Sequence, residues 1–249
     1  MAKGRFATLT SWSFSTYTQY IKCPFSVCLE KIQRIRVQEP DNPHLVHGNK
    51  AHEAADGVIT GRVKAPPKIT TPMPGRPALS SDLKKIGGQL TQLRAAKAKT
   101  EQEWAFDRQW NPVDWRDWSR AWVRMKIDAV KEALRPPSVD IIDWKTGKVH
   151  DEHKQQRSLY ATGGLQLVKL GALAGGDKKV KLTAQHVYLD TGQTATEEFE
   201  MKHLAPLRKE WEARTKEMLE DTAFKVRTGP HCRWCKFRKS AGGPCPEDQ

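Results

Sequence analysis

The run SVDIIDWKTGK, residues 138–148, restricts how this chain can fold more than any other segment. It begins with the β-branched, apolar composition of a buried strand, yet it contains Asp143 and Lys145 near its end. Residues two apart on a strand face the same side, so the carboxylate and the ammonium project together from one end of a sheet. A second acid, Asp128, lies fifteen positions before Asp143. If a neighbouring strand places Asp128 beside it, two carboxylates and one ammonium converge.

Such a convergence predicts a divalent-cation site that cleaves phosphodiesters. Carboxylate oxygens are the ligands that Mg²⁺ and Mn²⁺ prefer. A bound cation polarises a phosphate and acidifies water, and a lysine stabilises the charge that develops. Asp-x-Lys alone is short and frequent, however, and acids at strand ends are commonly solvated turn residues. The rest of the sequence has to decide between these interpretations.

The pattern along the chain predicts an α/β fold with a central mixed sheet. We expect helices over 13–33, 48–60, 79–99, 151–170 and 203–221, and strands around 102–110, 119–130, 138–145, 180–189 and 195–201. Gly48 and Gly61 are expected to begin and end the second helix. Five prolines in residues 64–77 predict an extended loop. We expect one domain, residues 1–249, that ends in a cysteine-rich tail over residues 225–249.

The charge of the chain favours a polyanionic partner. Its 42 Lys and Arg exceed its 29 Asp and Glu, which gives a net charge of +13. Nine basic residues and one acid lie in residues 62–99, and six basic residues and no acid lie in residues 222–245. Nucleic acid is the commonest partner of such a surface, although solubility also explains basic charge.

The apolar pattern predicts neither a membrane span nor a secretory leader. No uncharged apolar run approaches the roughly 18 residues of a transmembrane helix. The N-terminal sequence MAKGRFATLTSWSFST also lacks the apolar stretch of a signal peptide. We therefore expect a cytoplasmic protein, in the host cytoplasm if the gene is viral.

Five cysteines in a reducing compartment are expected to bind metal rather than to form disulfides. Cys232 and Cys235 form a C-x-x-C turn, Cys245 follows them, and Cys23 lies near the start of the chain. Four thiolates suit an iron–sulfur cluster or Zn²⁺, and free buried thiols are the alternative. Cys28 is expected to be the spare, although it could replace Cys23.

The order Ile-Asp, then Asp-Trp-Lys-Thr-Gly-Lys, resembles the PD-(D/E)XK nuclease superfamily, and specifically its RecB-like branch. Three other segments are similar to that branch: SWSFSTYTQYIKCPF at 11–25, HGNKAHEAADG at 47–57 and QRSLY at 156–160. In the last of these Gln156 and Tyr160 lie four apart, and a helix puts both on one face. The resemblance extends from residue 11 to residue 246 and is dense only at these motifs.

The resemblance implies both a fold and a catalytic site. The fold is restriction-endonuclease-like, a mixed sheet flanked by helices, with the cysteine-rich segment clasped to the N-terminal helix. Asp128, Asp143 and His52 would bind Mg²⁺ or Mn²⁺, and Lys145 would position the attacking water. Trp144 should point to the opposite face of its strand and pack there.

The resemblance also implies substrate contacts and a second metal group. Gln156 and Tyr160 would contact DNA. A structural 4Fe–4S cluster would be held by Cys23, Cys232, Cys235 and Cys245. Zn²⁺ is the alternative metal at these four cysteines. Met125 stands where the family often has Gly and is expected to crowd the strand. The loop between the last two cysteines is long and is expected to bulge outward.

These features predict a metal-dependent DNA exonuclease from a phage or mobile element, acting in recombination, repair or DNA degradation. A recombination protein is a possible partner. The alternative is a non-catalytic nucleic-acid-binding module with a structural zinc site. Trp110, Trp115 and Trp118 have two interpretations, stacking on unpaired bases or packing at a hairpin tip and in the core.

Overall fold

The computed structural model describes residues 6–37 and 42–247. Over these ranges the chain forms nine strands and six α-helices, in the order β1 (Trp12–Ser13), α1 (Phe14–Lys22), α2 (Pro24–Val27), α3 (Pro43–Thr60), β2 (Lys68–Met73), β3 (Arg76–Asp82), α4 (Gly87–Ala95), β4 (Lys99–Phe106), β5 (Pro112–Val113), β6 (Val123–Leu134), β7 (Pro137–Lys145), α5 (Glu152–Lys169), β8 (Lys181–Tyr188), β9 (Thr194–Phe199) and α6 (Leu204–Glu220). The predicted fold class, a mixed sheet flanked by helices, is confirmed. None of the described helices is long and apolar enough to cross a membrane.

Seven strands form one mixed sheet, which sets the position of the acids. The order is β5-β4-β6-β7-β8-β9, and β1 pairs in parallel with the start of β6. Strands β7 and β8 are also parallel, with Asp143 in register with His186, and the other neighbours are antiparallel. The C-terminal ends of β7 and β8 therefore lie side by side at the same end of the sheet's strands.

Two hydrophobic cores cover the two faces of this sheet. The larger core contains Ile141 and Trp211, together with residues of α1, α5 and α6. The smaller core contains Ile142 and Trp144, together with residues of α3 and α4. Alternation along β7 thus sends Trp144, 1% exposed, into the smaller core, as predicted.

Two consecutive glycines let α5 lie close against the sheet. A Cβ on Gly163 would lie 2.8 Å from Met125 Sδ. A Cβ on Gly164 would lie 2.6 Å from Ile141 Cδ1 and 2.8 Å from Leu182 Cδ1. The crowding expected from Met125 is therefore absorbed by the absence of a side chain on the facing helix.

The two ends of the described chain pack together. The Phe6 amide donates to the Thr222 carbonyl at 2.9 Å, and the Tyr20 hydroxyl donates to Asp221 Oδ2 at 2.8 Å. The cysteine-rich tail follows in short 3-10 turns and borders a cavity that also touches α1. Residues 1–5 and 248–249, the ends of the predicted domain and of its tail, lie outside the described residues.

The Pro-rich segment is not the loop that its composition predicts. Strands β2 and β3 form a separate antiparallel hairpin with an irregularity between Thr71 and Met73. Proline is tolerated at such a place because both strands of a hairpin are edge strands. His47 of α3 anchors the hairpin, with Nδ1 3.1 Å from Thr71 Oγ1 and Nε2 2.8 Å from Ser81 Oγ.

Two predicted helix starts are also wrong. The helix predicted from residue 79 begins as α4 at Gly87, because residues 79–82 complete β3. Helix α3 begins at Pro43 rather than at Gly48, since Asn42 caps it and proline suits its first position. Gly61 ends α3 with a φ of 81°, as predicted.

We expect Gly164→Ala to lower the free energy of unfolding by about 1–3 kcal/mol, because the new methyl group would overlap two buried side chains. Helix propensity alone would give the opposite sign. Gly88→Ala is the matched control, since Gly88 also lies in a helix but its Cβ would meet no atom within 4 Å. We expect the control to gain about 0.5 kcal/mol. Urea unfolding measures both, and equal effects would contradict the packing argument.

Candidate active site

The two acids and the lysine meet near the C-terminal end of β7, where it runs beside β6. Asp128 of β6 and Asp143 of β7 are 8% and 5% exposed. Asp128 Oδ2 accepts a 2.7 Å hydrogen bond from the Trp144 amide, which ties β6 to β7 at this point. Lys145 Nζ lies 2.6 Å from Asp143 Oδ2. The structure therefore brings together the three side chains that the sequence selects.

His52 reaches the same place from α3. Its Nδ1 lies 3.3 Å from Asp128 Oδ1. Burial disfavours the imidazolium, but the hydrogen bond to Asp128 and the charges of Asp128 and Asp143 outweigh burial and raise the pKa of His52. Gly48, one turn earlier, lies beside the loop after Lys145, since a Cβ at this position would be at contact distance, 3.4 Å, from Thr146 Oγ1.

Gln156 and Tyr160 of α5 lie on one face, and that face is turned toward Asp143. Gln156 Nε2 donates to the Tyr160 hydroxyl at 2.7 Å. The hydroxyl lies 3.1 Å from Asp143 Oδ1 and 3.0 Å from the Lys126 carbonyl. Burial and the nearby carboxylates raise the pKa of Tyr160 well above its usual value, so its hydroxyl stays a donor. Tyr160 is buried, whereas Gln156 is half-buried.

Burial dominates the electrostatics of Asp143. Desolvation and the charge of Asp128 raise the pKa of Asp143, against the attraction of Lys145 and His52. Asp143 Oδ2 is buried and has no well-formed hydrogen bond among the described residues, although Lys145 approaches it closely. A buried carboxylate oxygen in this situation is a fitting ligand for a hard cation.

A second histidine, which the sequence did not single out, borders Asp143. His186 Nε2 lies 3.5 Å from Asp143 Oδ2, and its Nδ1 lies 3.1 Å from Arg157 Nη1. Burial, with the positive charges of Lys145, His153 and Arg157, lowers the pKa of His186 to about 2. Because arginine only donates, His186 accepts at Nδ1 and carries its proton on Nε2, toward the carboxylate. Only the register of β7 with β8 could have revealed this pairing.

Cys23 and Cys235 border the same cavity between α1 and the C-terminal tail. Burial raises the pKa of Cys235, and the charges of Cys23, Cys245 and Cys232 raise it further. Cys28 lies fully buried within the larger core instead. All five are free thiols.

No group of three or more His, Cys, Asp or Glu side chains in residues 6–37 and 42–247 is arranged to hold one metal ion. For the carboxylates this does not exclude a cation, since Mg²⁺ commonly binds one or two carboxylates, keeps several waters and takes the rest from substrate phosphates. For the thiols it supports neither a zinc site nor an iron–sulfur cluster.

The long loop between the last two cysteines was expected to bulge outward, and this prediction is wrong, because the loop folds back on itself. The Gly243 amide donates to the Arg238 carbonyl and the Cys245 amide to the Phe237 carbonyl, both at 2.9 Å. Phe237 itself is 1% exposed. The length of the loop is thus taken up by a closed turn over a buried ring.

The three tryptophans of the β4–β6 connection have different environments. Trp110 is fully buried, which agrees with the packing interpretation. Trp115 is half-buried and Trp118 is 72% exposed. Of these three tryptophans, Trp118 alone therefore has most of its ring open to a partner.

Comparison with known proteins identifies the family. Residues 11–240 match the PD-(D/E)XK nuclease superfamily. The chain belongs to this superfamily. No curated protein matches the sequence. Among solved structures it is similar to one titled "Crystal structure of SSO0001", with 15% identity and a TM-score of 0.41 over 97% of this chain and 88% of that chain. The assignment as a PD-(D/E)XK nuclease superfamily member rests on the sequence match alone.

We expect metal-free Asp143→Asn protein to melt at a higher temperature than the wild type near neutral pH. A carboxyl whose pKa is raised by folding binds more protons in the folded state, so its ionisation at neutral pH lowers stability. The difference should shrink as pH falls and vanish below about 4, where the unfolded carboxyl is protonated as well.

Scanning fluorimetry in a chelating buffer measures this. Asp140→Asn is the matched control on the same strand: Asp140 pairs with Lys131 at 2.7 Å and accepts from Thr183 at 2.6 Å, so its loss should lower the melting temperature. A lower melting temperature for Asp143→Asn at neutral pH would contradict the prediction.

Proposed function

We propose that this superfamily member is a RecB-like, metal-dependent exonuclease that hydrolyses DNA. The observation that carries the proposal is the convergence of Asp128, Asp143 and Lys145 near the C-terminal end of β7, with His52 hydrogen-bonded to Asp128. Superfamily membership supports nuclease activity, and the basic surface supports a polyanionic substrate.

In this proposal Asp143, Asp128 and His52 hold Mg²⁺ or Mn²⁺. The buried, poorly hydrogen-bonded Oδ2 of Asp143 supports that role. When bound, the cation supplies polarisation of the scissile phosphate and acidification of a water molecule. His52 must be neutral to act as a ligand, and Asp128 orients its ring through Nδ1.

Lys145 then orients the attacking water and stabilises the charge that develops on the phosphate. Its side chain is 21% exposed, three times the 7% of Asp143, so the ammonium is the more accessible partner of the pair. The 2.6 Å contact with Asp143 holds it at the site before substrate arrives.

Gln156 and Tyr160 hold the substrate strand beside these residues. Half-buried Gln156 makes the direct contact in our proposal. Buried Tyr160 acts through its hydrogen bonds to Gln156 and Asp143, and is therefore a positioning residue.

We also propose that Cys23, Cys232, Cys235 and Cys245 bind a structural 4Fe–4S cluster. In such a cluster each thiolate binds a different iron, so the thiols need not meet around one point, in contrast to Zn²⁺. Cys23 and Cys235 both border a cavity of about 240 Å³ between α1 and the tail, where the group would lie in this proposal. The cluster would join the two ends of the single domain, residues 1–249, and hydrolysis moves no electrons through it.

The resemblance to RecB-like enzymes also underlies our proposal of a cytoplasmic role in phage or mobile-element recombination, repair or DNA degradation. A recombination protein would be the partner. The cellular role and the partner both depend on the RecB-like assignment, and the nuclease assay below tests that assignment.

We expect wild-type protein with Mn²⁺ or Mg²⁺ to shorten end-labelled DNA progressively. Asp143→Ala and Lys145→Ala should each reduce the rate by roughly 100-fold or more, because each removes stabilisation of developing charge. Asp140→Asn, with its acid on the same strand but away from the site, should retain activity. Gel analysis of DNA labelled at either end gives rate and polarity.

Equal degradation by wild type, Asp143→Ala and Lys145→Ala would reject the proposed site. DNA binding without cleavage in all of them would favour the alternative, a non-catalytic binding module.

We expect protein purified without air to be brown and to absorb at about 400 nm, as iron–sulfur clusters do. Cys235→Ser should lose the colour and the bound iron, whereas Cys28→Ser should keep both, because Cys28 packs in the core. Absorbance with iron, sulfide and zinc analysis measures the outcome. Zinc without iron in the wild type would replace the cluster by the zinc alternative.

A further inference from the structure

Besides the cavity between α1 and the tail, another cavity lies beside the start of α1, apart from the carboxylates. Its volume is about 540 Å³. The lining residues that bear on its chemistry are Ser13, Thr16, Lys31, Arg34, Trp118 and Arg124. The described lining as a whole holds three cations and no acid. Neither the fold nor the proposed chemistry requires such a site.

Arg124 is the strongest indication of what the cavity binds. It is 9% exposed, yet its guanidinium forms no salt bridge in the described part of the chain. Its Nε donates to the Trp115 carbonyl at 3.0 Å, and Nη2 donates to the Asp117 carbonyl at 3.4 Å. The Asp117 carboxylate is taken by Arg120, at 2.6 Å. A buried cation without a counterion is costly, so an anion in this cavity would be stabilised.

Trp118 adds an aromatic surface to the same cavity. The Arg124 guanidinium lies 4.3 Å from the centroid of its ring, which is a cation–π contact. The residue is nevertheless 72% exposed, so much of the ring remains open. An open indole beside a buried guanidinium suits a nucleobase joined to a phosphate.

The other lining groups agree with an anionic ligand. Ser13 caps α1, and Ser13 and Thr16 place the first turn of this nine-residue helix at the cavity wall. Helix N-termini favour anions. Lys31 already pairs with Glu30 at 2.7 Å, so Arg34 and Arg124 supply most of the uncompensated charge.

Strand β6 connects this cavity to the carboxylates. Arg124 and Asp128 lie four residues apart on it, which is about 13 Å at about 3.3 Å per residue. Exposed Lys126 stands between them. This distance corresponds to about four stacked nucleotides at about 3.4 Å each, and to fewer if the strand is extended.

We infer that the cavity binds an unpaired nucleotide of the substrate strand, with the base on Trp118 and a phosphate at Arg124, a few nucleotides from the scissile bond. The inference rests on the proposed function, because it identifies the ligand as the strand that the carboxylates cleave. It specifies a single-stranded segment at this point of the substrate.

Binding can be measured without cleavage. Full-length Asp143→Asn protein in chelating buffer is titrated into a labelled single-stranded oligonucleotide, and fluorescence anisotropy gives Kd. We expect Trp118→Ala to weaken binding at least five-fold and Trp118→Phe to retain most of it. Trp234→Ala is the matched control, since Trp234 is 85% exposed but lies outside the cavity, and should leave Kd unchanged. Arg124→Gln, with its fold checked by circular dichroism, should also weaken binding and reduce its salt dependence.

The ligands distinguish the sources of the anion. Unchanged Kd for single strands in Trp118→Ala would overturn the inference, as would an equal loss on blunt duplex and single strand. Inorganic phosphate that competes as well as a mononucleotide would show a simple anion site and also overturn it.

The outcome is separable from that of the nuclease proposal. Cleavage by the wild type with binding indifferent to Trp118 removes the cavity site and leaves the enzyme. If the wild type never cleaves DNA but Trp118→Ala still loses single-strand binding, the nucleotide site is supported and the nuclease proposal is rejected.

Discussion

The buried charge of Asp143 is the constraint around which this structure is organised. A carboxylate at 5% exposure is stable only with donors or cations beside it, and they come from β7 and from α5. Lys145 is local in sequence, whereas the Tyr160 hydroxyl arrives only if α5 lies close to the sheet. Gly163 and Gly164 allow that approach. The spacing between α5 and the sheet thus determines whether the Tyr160 hydroxyl can hydrogen-bond the Asp143 carboxylate.

The sequence predicts the centre of the site because the required information is local. Alternation along one strand places Asp143 and Lys145 together and sends Trp144 to the other side. The antiparallel return of β6 to β7 then brings in Asp128. Boundaries were less well predicted. Proline content suggested a loop at residues 64–77, but hairpin edges accept proline, and tertiary contacts to His47 stabilise the strands.

The groups that the sequence could not select depend on pairing between distant segments. His186 borders Asp143 only through the register of β7 with β8, and its tautomer follows from Arg157 on α5. Arg124 is unremarkable in a basic sequence, and the sequence leaves Trp118, like Trp110 and Trp115, between base stacking and packing. The significance of Arg124 and Trp118 comes from burial of one, exposure of the other and the cavity that they share. Such features are properties of the assembled chain rather than of any motif.

The contact between Tyr20 and Asp221 has a consequence for biosynthesis. The two residues are 201 positions apart, so a ribosome adding about 5–20 residues per second releases α1 about 10–40 s before its partner. Strands β4 to β9 and α5 emerge in that interval and can pair with near neighbours. The cavity beside the start of α1 forms only when the early N-terminal segment docks on that sheet. The cavity bordered by Cys23 and Cys235 also requires the late C-terminal segment. Vectorial synthesis therefore makes the strands that hold the carboxylates available before the contact that closes the molecule.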